Sequence, residues 1–139
     1  RRNKLMTKTK KKLNIEGDIS IHSENILPVI AQSVSADGKI IVFEEPERRA
    51  HPRLQIKMAD LFVECSKKNQ FIIETHSENL LLGVLKQIRD KKISHKFVKI
   101  IYVYMENGQS KIDELSINEK GAFQSKWRHG FFTEKLDLI

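Results

Sequence analysis

The feature that most constrains this chain is a pair of short, continuous apolar runs about thirty residues apart, IIVF at Ile40–Phe43 and FII at Phe71–Ile73. Unbroken apolar runs of this length fit strands buried on both faces, as in a parallel sheet covered by helices. Between them Leu54, Met58, Leu61, Phe62 and Cys65 recur at helical spacing up to about Lys67. Pro52 suits the first helical position, and Lys67-Lys68 falls where cations favour a helix end. After the second run Ser77 is a candidate cap for another helix, with Leu81, Val84, Leu85 and Ile88 on its inner face. Val98–Tyr104 supplies a third strand. Strand, helix, strand, helix, strand is the pattern of a parallel sheet with helical crossovers. The expected fold class is therefore α/β, a mostly parallel sheet with flanking helices.

The flanks are read in the same way. Glu16-Gly17-Asp18 marks a break, after which a helix opens near Ser23 or Asn25 and runs to about Ser33. Ile26, Ile30 and Val34 then share one face, and Ala36-Asp37-Gly38 is a turn. Downstream, Asn107-Gly108 is a strong hairpin signal, and Lys111–Ile117 alternates imperfectly behind it. The last twenty residues hold the only Trp and three of the seven Phe, which points to a small aromatic cluster. The chain thus divides into a basic arm or linker (1–18), a main α/β part (19–105) and a small β-rich C-terminal extension (106–139).

Composition matters mainly through where the charge lies. The net charge is +7, but RRNKLMTKTKKKL at Arg1–Leu13 carries seven of the 25 Lys and Arg and no acid. The remaining 18 basic residues match the 18 acidic ones. The arm is a solvated tail or a contact for nucleic acid or acidic lipid; the rest is no uniformly basic surface. No apolar run approaches the roughly 18 residues of a membrane span, and the arm lacks the apolar core of a secretory signal. The single cysteine, Cys65, cannot form an internal disulfide and suits a reducing cytoplasm.

Two polar groups fall at the carboxyl ends of consecutive strands, the edge at which open parallel sheets bind ligands. Glu44-Glu45-Pro46 follows the first run; Thr75-His76-Ser77 follows the second. Adjacent carboxylates at a strand end are costly unless a cation or hydrogen-bond donor offsets them, and a magnesium nucleotide would provide that offset. Taken singly, Glu44-Glu45-Pro46 also reads as an exposed acidic turn and His76 as a neighbour of a helix cap. His51, His76, Glu44 and Glu45 have no spacing that suits zinc.

In this order the segments resemble those of ABC-type ATPases. IIVFEEPE at Ile40–Glu47 resembles their Walker B segment, and FIIETHS at Phe71–Ser77 their switch-histidine segment. LPVIAQ at Leu27–Gln32, HPRLQ at His51–Gln55 and WRHGFFTE at Trp127–Glu134 are similar to stretches of bacterial AAA ATPases with ABC-type motifs, a group found in phage-defence and DNA-maintenance systems. The resemblance covers about residues 19–134 and implies a P-loop NTPase-like lobe that binds and hydrolyses ATP with magnesium. It also implies a head-to-tail homodimer or higher oligomer, with DNA or a nuclease or other effector protein as further partner and no membrane. It assigns Glu44 to magnesium, through a water, Glu45 to the base that polarises the attacking water, and His76 to the γ-phosphate. Ser23 falls in the signature region, and Arg48 to His51 in the loop that faces the opposite subunit.

Two departures accompany the likeness. The phosphate-binding pattern G-x-x-x-x-G-K-[ST] does not occur in this sequence, and ISIHSE at Ile19–Glu24 has no glycine where the signature usually has them. Backbone amides and a lysine that cradle phosphates are central to nucleotide affinity. The 139 residues alone are thus expected to bind ATP weakly and to be inactive. The alternative reading is a catalytically silent interaction or nucleic-acid-binding module that retains the fold.

Overall fold

The computed structural model describes residues 26–124; the basic arm, Ser23 and the WRHGFFTE element lie outside the described residues. Two compact units divide the chain, Arg1–Val84 and Leu85–Ile139. In order, the elements are α1 (Ile26–Ser35), β1 (Ile40–Glu44), α2 (Pro52–Cys65), β2 (Gln70–Glu74), α3 (Glu78–Arg89), β3 (Ile100–Glu106) and β4 (Gln109–Leu115). A short 3-10 turn at His95–Phe97 precedes β3.

The first unit is built on the parallel pair β1–β2, with Ile40 opposite Gln70 and Glu44 opposite Glu74. Alternate residues Ile41, Phe43, Phe71 and Ile73 point to a core shared with Val29 of α1, Met58, Ala59 and Phe62 of α2, and Leu80 and Val84 of α3. Phe43, Phe62 and Phe71 form an aromatic triangle with ring centroids 5.4–6.3 Å apart. Such pairs add to plain area burial, which itself contributes about 1.5–3 kcal/mol per large apolar side chain. A second cluster joins Ile26 and Ile30 of α1 to Ala50, Leu54 and Leu61, with Val34 and Cys65 against it. The helical spacing read from the sequence therefore selects the buried stripe of α2 correctly.

At α3 the expected Val84, Leu85 and Ile88 pack inward, but Leu80 is buried and the expected Leu81 only partly so. Gly83 marks a close approach of this helix to α2. A Cβ there would lie 2.7 Å from the Ile56 carbonyl oxygen and 2.8 Å from the Ala59 Cβ. The glycine lets α3 press onto α2.

The amino ends of the strands are closed by a buried asparagine. Asn69 accepts from the Lys39 amide through Oδ1 at 3.0 Å, and its Nδ2 donates to the carbonyls of Ala36 (3.1 Å) and Cys65 (3.4 Å). Gly38, with φ +62°, turns the chain into β1 beside it.

Two expectations are corrected. The strands are not covered on both faces: Ile40 (67% exposed), Val42 (66%) and Ile72 (52%) stand on the face away from the core. Among the described residues, the three helices supply apolar partners only to the opposite face. The third strand also does not extend the parallel pair. β3 pairs antiparallel with β4, from Ile100 opposite Leu115 to Glu106 opposite Gln109. Asn107 (φ 50°) and Gly108 (φ 74°) make the two-residue turn between them, and that backbone returns the chain alongside itself. The described strands are thus one parallel and one antiparallel pair within an α/β chain.

The second unit holds this hairpin and its own apolar cluster. Leu85, Ile88 and Ile117 are buried there, with Ile93, Val98, Ile100 and Phe123 packed against them. Ile117 and Phe123 bridge across a loop that Asn118 stabilises by accepting from the amides of Lys120 and Ala122.

Candidate functional site

Because β1 and β2 run parallel and end in register, the segments that follow them leave the sheet side by side. The Glu45 amide donates to the Glu74 carbonyl at 2.9 Å, one step beyond the regular ladder. Pro46 has no amide proton to continue it. Glu45 adopts φ +41°, a left-handed conformation that a non-glycine residue takes at a cost, and Arg49 follows at +65°. Two tight turns result, with the Arg48 amide donating to the Glu45 carbonyl (3.0 Å) and the Ala50 amide to the Glu47 carbonyl (2.8 Å).

This bend brings the separated polar groups together. Glu45 Oε1 lies 3.9 Å from His76 Nε2, and its Oε2 lies 3.8 Å from Arg48 Nε. The His76 side chain is 73% exposed and Glu45 about half as much, so the pair faces solvent. Glu44 and Glu74, paired across the ladder, are both exposed at the same edge. Like charges directly opposite destabilise a ladder, so a bound cation would be favoured here. Among the described residues no cluster of three or more His, Cys, Asp or Glu could hold a metal by itself. A cation at this edge needs ligands from elsewhere, as magnesium does when it takes one or two carboxylates and completes its shell with phosphates and water.

Beneath the exposed pair lies a hydrogen-bond network that local sequence patterns do not reveal. The Thr75 hydroxyl donates to Oε1 of Glu47 at 2.5 Å and accepts from the Ser77 amide at 2.9 Å. The Ser77 hydroxyl accepts from the Leu80 amide (3.0 Å), capping α3 as its position in the sequence indicated. It donates in turn to Gln55 Oε1 (2.8 Å), which also accepts from Asn79. Gln55 Nε2 reaches back to the Ala50 carbonyl at 3.0 Å. Glu47 is only 5% exposed, and its Oε2 is buried without a hydrogen-bond partner among the described residues.

Of the sequence-derived candidates, Glu44, Glu45 and His76 converge at this edge. His51 does something local: its Nδ1 accepts from the Arg53 amide at 3.3 Å, capping α2. Ser23 lies outside the described residues. The sequence singles out Thr75 with His76 and Ser77, but reasoning from the sequence gives it no partner and misses Glu47 and Gln55 as members of the constellation. Their partners are 22 to 28 residues distant, so no local spacing announces them.

The carboxyl edge of parallel strands, where these carboxylates and the histidine stand, is where open α/β sheets bind ligands. The AAA ATPase domain family matches residues 5–81, more than half of the sequence and all of this edge, and the chain belongs to that family. One solved structure similar in fold comes from work on the structural biochemistry of ATP-driven dimerization and DNA stimulated activation of SMC ATPases. Its TM-score is 0.50 at 24% identity, over 70% of this chain. The chain spans 55% of that structure's length. No curated protein matches the chain. No helix among the described residues is long and apolar enough to cross a membrane.

Proposed function

We propose that this chain supplies the hydrolytic edge of an ABC-type ATPase, in which Glu45 and His76 act on the γ-phosphate side of a bound magnesium nucleotide. The observation that carries this is the 3.9 Å approach of Glu45 Oε1 to His76 Nε2 across two strand ends thirty residues apart in sequence. That gap is too long for a direct hydrogen bond and suits a single bridging oxygen, from water or phosphate. Glu45 then orients and polarises the attacking water, and His76 contacts the γ-phosphate. Glu44 would hold magnesium, through a water, with Glu74 adding negative charge beside it. Magnesium bound there would supply neutralisation of phosphate charge.

Exposure of the pair favours completion of the site by a second subunit. In this reading the chain works as a head-to-tail dimer, with Arg48 to His51 facing the partner and Ser23 in the segment that approaches the partner's nucleotide. ATP-driven dimerization and DNA stimulation are features of the SMC ATPases whose fold this chain resembles. By analogy, a DNA-linked or phage-defence effector in the cytoplasm would be the output. The test is steady-state ATPase activity of the full-length protein carrying Glu45→Gln. Loss of a positioned base should lower kcat about 10²–10⁴-fold while nucleotide affinity persists. Wild-type turnover in this variant would remove Glu45 as the base, and absence of turnover in the unsubstituted protein would leave the silent interaction module as the better description.

A further inference from the structure

Glu47 is a carboxylate buried where packing alone gives no reason for one. An apolar side chain of similar volume would fill the space without the cost of desolvating a charge. One of its oxygens accepts the Thr75 hydroxyl and the other has no partner among the described residues. Glu47 lies two residues after Glu45, and Thr75 lies one residue before His76. The Glu47–Thr75 bond therefore ties together the two segments that carry the exposed pair. It acts beside the backbone bond from the Glu45 amide to the Glu74 carbonyl.

From this geometry we infer that Glu47, acting through the Thr75 hydroxyl, is a positioning residue that holds His76 in register with the Glu45 carboxylate. The inference rests on the hydrolytic reading of Glu45 and His76 and adds to it a residue that acts through another side chain. The tie matters because both reacting groups sit on irregular backbone. Glu45 is in the left-handed region, and His76 is on the three-residue link between β2 and α3, outside any ladder. Thr75 also accepts from the Ser77 amide, so its hydroxyl proton is directed at Glu47 and the α3 cap is set by the same group. Pre-organisation of this kind acts on kcat more than on binding, since a small misplacement of reacting groups is costly at the transition state.

The test compares conservative with disruptive changes at both ends of the bond in the full-length protein. Glu47→Leu and Thr75→Val each remove the bond and should lower kcat roughly ten- to a hundredfold, with KM for ATP within about twofold. Glu47→Gln and Thr75→Ser each keep an acceptor or a hydroxyl and should retain turnover within about fivefold of wild type. The Glu47→Leu/Thr75→Val double variant should be no slower than the worse single variant, because one bond is lost once. Thermal melting of each variant confirms folding; if Glu47→Leu does not fold, the Thr75→Val and Thr75→Ser pair decides alone. Normal kcat in the disruptive variants, losses that multiply in the double variant, or no rescue by the conservative ones would overturn the positioning role. Glu45→Gln is the control that separates the two ideas. If it abolishes turnover while Glu47→Leu and Thr75→Val do not, only the positioning role fails. If it turns over normally, the hydrolytic reading fails and the positioning role fails with it.

Discussion

The two ends of the β1–β2 pair are built from similar materials to opposite effect. At the amino end, Asn69 satisfies a donor and two acceptors, and the one left-handed residue is Gly38, which bears no penalty for it. At the carboxyl end, the left-handed residues are Glu45 and Arg49, two carboxylates face each other across the ladder, and Glu47 is buried with one oxygen unpaired among the described residues. Each of the latter features is unfavourable to folding, and together they fall within a few residues of one exposed Glu–His pair. Strain gathered at one strand end is a feature of working sites. In the proposed reading the amino end stabilises the sheet and the carboxyl end uses it.

If the ends differ in this way, changes at the amino end should move stability and leave chemistry alone. Asn69→Ala strips hydrogen bonds from the Lys39 amide and two carbonyls and should destabilise by about 2–3 kcal/mol in denaturant unfolding, with kcat unchanged well below the melting point. An equal loss of kcat would mean that the two ends are not separable. Gly38→Ala meets open space but must hold φ near +62°, and should cost about 1 kcal/mol.

The same logic run at the carboxyl end changes sign. Glu45→Gly relieves a strained conformation and should raise stability by about 1 kcal/mol while removing turnover, a trade that denaturant melts and ATPase rates measure side by side. Destabilisation by this change would show that the bend is held by the glutamate rather than in spite of it.

The smallest effect concerns the second unit. The Lys86 hydrogen bond, aided by the charges of Lys86, Arg89 and Lys92, holds the exposed Asp90 carboxyl below its usual value. A group depressed in the folded state adds stability that is fully present above the unfolded carboxyl value, about 3.9, and is lost as pH falls through the folded value. An NMR titration should find Asp90 ionised below the usual range. Lys86→Ala should return it towards the normal value with little change in melting temperature at neutral pH.

Much of this fold was legible because its signals are local. IIVF and FII became β1 and β2, the Leu54–Met58–Leu61–Phe62 stripe became the core of α2, and Asn107-Gly108 became the hairpin turn. Sequence alone overstated the sheet, since an apolar run such as IIVF shows that a strand is apolar on both faces and not what covers them. It also could not choose a partner for β3, because Val98–Tyr104 reads the same in a parallel or an antiparallel pair. At the site, Glu44, Glu45 and His76 stood out because strand ends mark them. Glu47 stood only as the last residue of the IIVFEEPE segment, and its burial and its contact with Thr75, 28 residues on, emerge only in the fold.

The central claim is that Glu45 and His76 form a chemical pair and not a surface accident. Its most direct test is the ATPase rate beside nucleotide affinity for Glu45→Gln, Glu44→Gln and His76→Ala in the full-length protein. The account predicts three separable outcomes. Glu45→Gln loses about 10²–10⁴-fold in kcat, keeps its affinity and accumulates a nucleotide-loaded dimer. Glu44→Gln weakens magnesium-dependent binding, and His76→Ala slows turnover. Three variants that hydrolyse ATP like wild type and differ only slightly in stability would contradict it.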